Sequence, residues 1–195
     1  MPAQSINAPL TKVSRADVKK LRLQIRTILL QEKIQADAVQ KPMLLLVGEH
    51  HESAESALIE SIIQSEARTL GVQNLALELA NEKSDIEFMS KHLFFNVGRN
   101  FSFINARLND DTIHFVDTHA TKMLETLHDP AKRNTSDPYW LKKRNENIAA
   151  NLSNINKPVL MITGLSHIEG LVRRGNNFGT HHVVTSVPTF GVMAA

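Results

Sequence analysis

Imidazole and carboxylate side chains recur in this sequence directly after short apolar runs. Gly48-Glu49-His50-His51 follows Met43–Val47, and Glu78 sits inside Leu75-Ala76-Leu77-Glu78-Leu79. Asp117-Thr118-His119 closes Thr112–Asp117, and Gly164-Leu165-Ser166-His167 follows Val159–Thr163. A histidine near a carboxylate is suited to proton transfer at neutral pH, because its unperturbed pKa lies close to that range. Glu78 is the sharpest of these positions. Its apolar frame would desolvate a carboxylate unless something pairs with it, which marks a candidate site. Glu49 also reads as an acid capping the helix that follows it. His50 and His119 are neighbours of the same positions.

The spacing Gly-x-x-His occurs twice, at Gly48/His51 and Gly164/His167. Composition alone gives roughly 0.4 such matches, so the spacing carries little weight, whereas its placement after an apolar run both times carries more. Glycine permits a sharp exit from a strand, after which the histidine points back over the sheet edge. Other motifs fail. His51-Glu52-Ser53-Ala54-Glu55 starts like a zinc-protease helix but has Glu at its fifth position. No G-x-S-x-G and no common phosphate-binding loop is present.

Elements that would position these residues follow from the pattern. Ser14 to Ala36 reads as a helix, with Ser14 as N-cap, Asp17 three residues on, and Val18, Leu21, Ile25, Ile28 and Leu29 at helical spacing. Lys19, Lys20, Arg22 and Arg26 make its other face basic. Strands are expected at Met43–Val47, Asn74–Leu79, Thr112–Asp117, Val159–Thr163 and Val183–Val187. Continuous apolar strands of this kind belong to parallel sheets. Helices are expected at Glu52–Leu70, Glu82–Phe95, Ala120–Leu127 and Tyr139–Leu152. Asn96–Asp111 reads as irregular, Asp129–Pro138 as turn-rich, and the acids Glu55, Glu60 and Glu66 as solvated. The alternation predicts an α/β fold: a mostly parallel sheet of about five strands flanked by helices. A flexible tail over 1–13 and a single domain over 14–195 complete the expected organisation. In such sheets sites lie outside the carboxyl ends of the strands, where these acids and histidines fall.

Composition narrows the chemistry. The 195 residues include no cysteine, which removes disulfides, thiolate metal ligands and thiol nucleophiles. The nine histidines are about twice the usual share. A net charge of +2 with scattered bases and 5% aromatic residues is no nucleic-acid footprint. No apolar run approaches the roughly 20 residues of a membrane span, and no secretory signal is evident. A cytoplasmic location is therefore expected. The acid-free stretch over 1–16 raises the alternative of a bacterial effector exported by a non-Sec route to a host target.

Four segments resemble one family. Leu44-Leu45-Leu46-Val47-Gly48-Glu49-His50-His51 resembles the opening G-E-x-H motif of the erythromycin esterase/ChaN/TraB/Tiki superfamily, and Asn74–Leu79 resembles its second strand with Glu78. Arg144-Asn145-Glu146-Asn147-Ile148-Ala149-Ala150-Asn151 is similar to its R-[DN]-x-x-M-A-x-N helix, with Ile148 in place of Met. Thr163–Gly170 is similar to the closing G-x-x-H-[LI]-x-G. The order and spacing agree from Met43 to Gly170, although the chain lacks the group's larger insertions.

The resemblance implies an EreA/ChaN-like α/β domain with its acids and histidines in one cleft. Members include metal-independent lactone hydrolases, metal-dependent peptidases and haem-binding proteins. The first expectation is a hydrolase of ester, lactone or peptide bonds acting on a small molecule or peptide. His51 would be the general base, oriented by Glu49 or Glu78, with His167 and Arg144 stabilising the oxyanion. His50, Asp117, His119 and Asn151 would contact substrate. In a metal-dependent variant, His51, His167, Glu49 and Glu78 would hold zinc, manganese or cobalt. The alternative is a haem- or iron-binding module without catalysis, for which Tyr139 and Trp140 offer a thin apolar cradle.

Overall fold

A computed structural model describes residues 14–49, 54–78, 97–118, 138–175, 178 and 180–185. The expected tail over 1–13, the helices at Glu82–Phe95 and Ala120–Leu127, and nearly all of the turn-rich stretch before Pro138 lie outside these residues. So do His50, His51 and His119.

Helix α1 spans Arg15–Ala38 and opens with a capping box. The Ser14 hydroxyl accepts from the Asp17 backbone N–H at 3.1 Å, and the Asp17 carboxylate accepts from the Ser14 N–H at 3.1 Å. Strand β1 runs Met43–Glu49 with all seven residues buried. It therefore continues through Gly48 instead of ending there. Gly48 serves packing: a Cβ on it would collide with Leu165 and come within 3.1 Å of Ile168. Helix α2 (Ala54–Thr69) stops at Gly71, whose φ of +85° suits glycine best. Strand β2 (Asn74–Leu77) ends just before Glu78.

The next element corrects the expected irregular stretch. Val97–Leu108 is a helix, α3. Ser102, Phe103 and Ala106 are buried one turn apart. The Gln64 amide donates to the Ser102 carbonyl at 3.1 Å and accepts from Asn105 at 2.9 Å. Packing on α2 overrides the weak helix propensity of its glycine and asparagines.

Strand β3 (Thr112–Phe115) follows, then helix α4 (Pro138–Ser153), which begins on the one residue type that needs no N–H in a first turn. Strand β4 (Val159–Gly164) runs straight into helix α5 (Leu165–Gly175), and β5 covers His182–Val184.

The sheet is α/β as expected, with five strands in the order β3-β2-β4-β1-β5, and every pairing is parallel. Leu45 and Val47 of β1 face the cluster under α1, α2 and α3, whereas Leu44 and Leu46 face the cluster under α4 and α5. Connections running toward β3 use the first face and those returning toward β5 use the second, as one crossover hand requires. The carboxyl ends of β1, β2 and β4 thus lie side by side, with the chain leaving them toward opposite faces. That is where a crevice forms in such sheets. Among the described residues no helix is long and apolar enough to cross a membrane.

Two of the acids expected to be solvated, Glu60 and Glu66, are buried, and the Glu55 side chain lies outside the described residues. Glu66 is 3% exposed and paired with Arg26 at 3.1 Å and Arg22 at 3.6 Å, both on α1. Glu60 is buried and accepts from Ser56 at 2.8 Å. Both lie on α2, the middle helix of its layer, so neighbours cover the face that an isolated helix would expose.

Candidate functional site

Glu78, one residue past β2, is the hub of a buried polar network at the carboxyl edge. Its Oε1 accepts from Arg144 Nη2 at 2.6 Å and lies 3.1 Å from His167 Nε2. Its Oε2 accepts from the Gly164 N–H at 3.0 Å and from the Thr163 hydroxyl. These contacts follow from register. Leu77 pairs with Ile162, so the next residue on β2 comes level with Thr163 on β4. Gly164 is also the residue from which α5 starts, and the positive end of a helix favours a carboxylate there.

Arg144 bridges two acids. Its Nε donates to Asp117 Oδ2 at 2.6 Å while Nη2 holds Glu78. Burial would lower its pKa, but the two carboxylates outweigh burial and hold it above its ordinary value. Asp117 is fully buried, and Oδ1 has no hydrogen-bond partner among the described residues. Burial pushes the Asp117 carboxyl above its ordinary pKa, partly countered by Arg144.

His167 stands in the first turn of α5, 2% exposed. Both ring nitrogens meet oxygens: Nε2 faces Glu78, and Nδ1 is 2.6 Å from Asn145 Oδ1. Glu78, Asp117, Arg144 and His167 thus form one connected set of ionisable groups. Gly170 completes the geometry one turn further on. A Cβ there would strike the Asn145 amide, so glycine allows α4 and α5 to approach closely enough for Asn145 to reach His167.

The expected residues therefore divide three ways. Glu78, Asp117, Arg144 and His167 come together. Glu49 is buried at the end of β1, opposite Gly164. Asn151 donates to the Val116 carbonyl at 2.8 Å, tying α4 to the end of β3. It lines a cavity of about 620 Å³ along β3, with Asn74, His114 and Lys157 among its other walls. His50, His51 and His119 lie outside the described residues. The contributions of Thr163, Asn145 and Gly170 were not foreseen. Each falls inside a segment already singled out, but only the pairing of β2 with β4 and of α4 with α5 gives it a role.

A metal fits this network poorly. Oε2 of Glu78 already accepts from two donors, Oε1 accepts from Arg144 and lies against His167 Nε2, and His167 Nδ1 faces Asn145 Oδ1. Neither offers a lone pair unless an existing contact breaks. Among the described residues no group of three or more His, Asp or Glu is arranged to hold an ion.

The fold and network define an α/β protein with a charged carboxyl-edge site. Comparison with models of known families, with curated proteins and with solved structures finds no match.

Proposed function

We propose that the protein is a hydrolase of ester, lactone or peptide bonds, with the buried Glu78–Arg144–Asp117–His167 network as the floor of its site. The observation that carries this reading is the convergence of four buried ionisable side chains from four separate segments at the edge where parallel sheets bind ligands. Stability alone gives little reason to retain them. Apolar residues of similar volume often stabilise a core as well as a buried ion network does. A rigid charged floor, by contrast, fixes the strand ends from which a catalytic group and its substrate must be positioned.

In this reading His51, two residues beyond buried Glu49, is the general base that takes a proton from water. Arg144 and His167 act through the field they set at the edge, since Arg144 Nε and Nη2 are held by Asp117 and Glu78 and the His167 ring lies between Glu78 and Asn145. They are positioning residues, and their contribution to the oxyanion is electrostatic. The substrate is a small molecule or a peptide.

The test is turnover by the full chain on aryl esters, lactones and peptides. Hydrolysis that His51→Ala abolishes, and that survives chelation with EDTA, supports the reading without metal. Loss on chelation that zinc, manganese or cobalt restores moves it to the metal-dependent variant. Absence of turnover on all three bond types overturns it.

A further inference from the structure

Helix α1 is apolar on two sides. Leu21, Ile25, Leu29 and Ala36 are buried against the sheet and α2. On the opposite side Leu23, Leu30 and Ile34 are 65%, 44% and 68% exposed. These three recur at intervals of seven and four residues, so they form one stripe along the helix. On the far flank of α2, helix α3 repeats the pattern with exposed Phe101, Ile104 and Leu108. Both crests point away from the sheet. Paired apolar ridges of this kind are characteristic of an interaction surface.

Charge decides what the surface fits. Helix α1 carries six bases and three acids. Each acid is already engaged: Asp17 in the cap, Glu32 with His182 at 2.7 Å, and Asp37 with Lys33 at 2.9 Å. Lys19 and Lys20 are exposed beside the stripe and form no ion pair among the described residues. A second copy of the chain would bring the same cations and no uncommitted acid from its own α1 to meet them. An anionic lipid surface supplies both an apolar boundary for the stripe and negative headgroups for the lysines.

We propose that the outer face of the α1–α2–α3 layer docks on an anionic bilayer surface. Leu23, Leu30 and Ile34 enter the acyl boundary, and Lys19 and Lys20 meet the headgroups. The sheet then stands away from the lipid, and this docking is independent of any hydrolase activity.

The experiment is co-sedimentation of the full chain with phosphatidylcholine vesicles, with and without about 30% phosphatidylserine, at low and high salt. Expected is partition about tenfold stronger onto the anionic vesicles, falling at high salt as screening sets in. Leu23→Glu with Ile34→Glu should abolish it, and Lys19→Glu with Lys20→Glu should weaken it about tenfold. Because these side chains are exposed, far-ultraviolet circular dichroism and Tm should stay as in the parent, separating lost docking from lost folding. The proposal is overturned if the parent ignores anionic vesicles or if the Leu23/Ile34 variant binds them as well. It is equally overturned if sedimentation shows a dimer that this variant dissolves, since the stripe would then belong to a second copy.

Discussion

Two buried glutamates on opposite faces of the sheet solve the same problem differently. Glu66 on α2 is held by Arg22 and Arg26, whose side chains are 53% and 54% exposed. Glu78 is held by Arg144 and His167, themselves 9% and 3% exposed, and by the Thr163 hydroxyl and Gly164 N–H fixed in β4. In the first case water still solvates the cations, and the pair staples one helix to another. In the second the partners are nearly as buried as the acid, so each member depends on every other. A buried acid alone does not mark a site. The solvation of its partners separates a staple from a network.

The largest expected effect comes from removing the bridge in that network. Arg144→Ala leaves Glu78 and Asp117 buried without their shared cation and should cost about 3–5 kcal/mol. For a chain of this size that lowers Tm by on the order of 10 °C, readable by calorimetry. Arg144→Met combined with Glu78→Gln and Asp117→Asn should recover much of the loss, because no charge is then stranded. A loss below about 1 kcal/mol for Arg144→Ala would mean that water reaches these acids, and the contrast with Glu66 would disappear.

A smaller effect tests how the network is shaped. Gly170→Ala adds a Cβ where the Asn145 amide sits and should destabilise by about 1–2 kcal/mol, despite alanine's better helix propensity. In an Asn145→Ala background the clash is gone. The same substitution should then stabilise by about 0.5–1 kcal/mol, and a double-mutant cycle by urea denaturation reads this change of sign. Additive effects would show that α4 and α5 do not approach at Gly170.

These tests bear on what the sequence makes legible. The apolar runs of β1, β2 and β4 are evident in one dimension, because a strand buried on both faces has no polar position to spare. The acids and histidines after them are evident for the same reason. Asn145 and Gly170 are not, since their roles arise only when α4 and α5 pack face to face. Helix α3 is hard to read because, among its described side chains, the buried apolar ones are Phe103 and Ala106, while Ser102 and Asn105 bond to Gln64. Glu60 and Glu66 misled because helical period reveals which side of α2 they occupy but not that other groups cover that side.

Two histidines outside the network contribute a loss of stability in acid, opposite in sign to the contribution of Asp117, whose raised carboxyl pKa favours the folded state as pH falls. Burial lowers the His181 pKa below 6.5, and burial with the nearby Lys157 charge does the same for His114. In both, the unfolded chain binds the extra proton more readily than the folded one. The contribution of these two histidines is therefore fully present above 6.5 and is lost as pH drops from there through their folded pKa values. Tm measured from pH 8 to pH 5 should fall more steeply, or rise less, in the parent than in His181→Gln, the gap opening below 6.5. An unchanged slope in the variant would mean that His181 charges without penalty.

The smallest effect completes the comparison. Arg26→Ala removes the nearer cation from Glu66 but leaves Arg22, and the vacated side of the helix admits water. The Arg26 Nε sits 3.1 Å from Glu66 Oε2 without a well-directed hydrogen bond, which limits what the pair contributes. The loss should be about 0.5–1 kcal/mol at low salt and smaller at high salt, because counterions screen a half-exposed pair. Arg144→Ala should cost nearly the same at both ionic strengths, since no counterion enters the core. Chemical denaturation of the two variants in urea, with and without added salt, puts the distinction to a single test. Equal losses, or an equal response to salt, would mean that partner exposure does not govern how a buried glutamate is held in this fold.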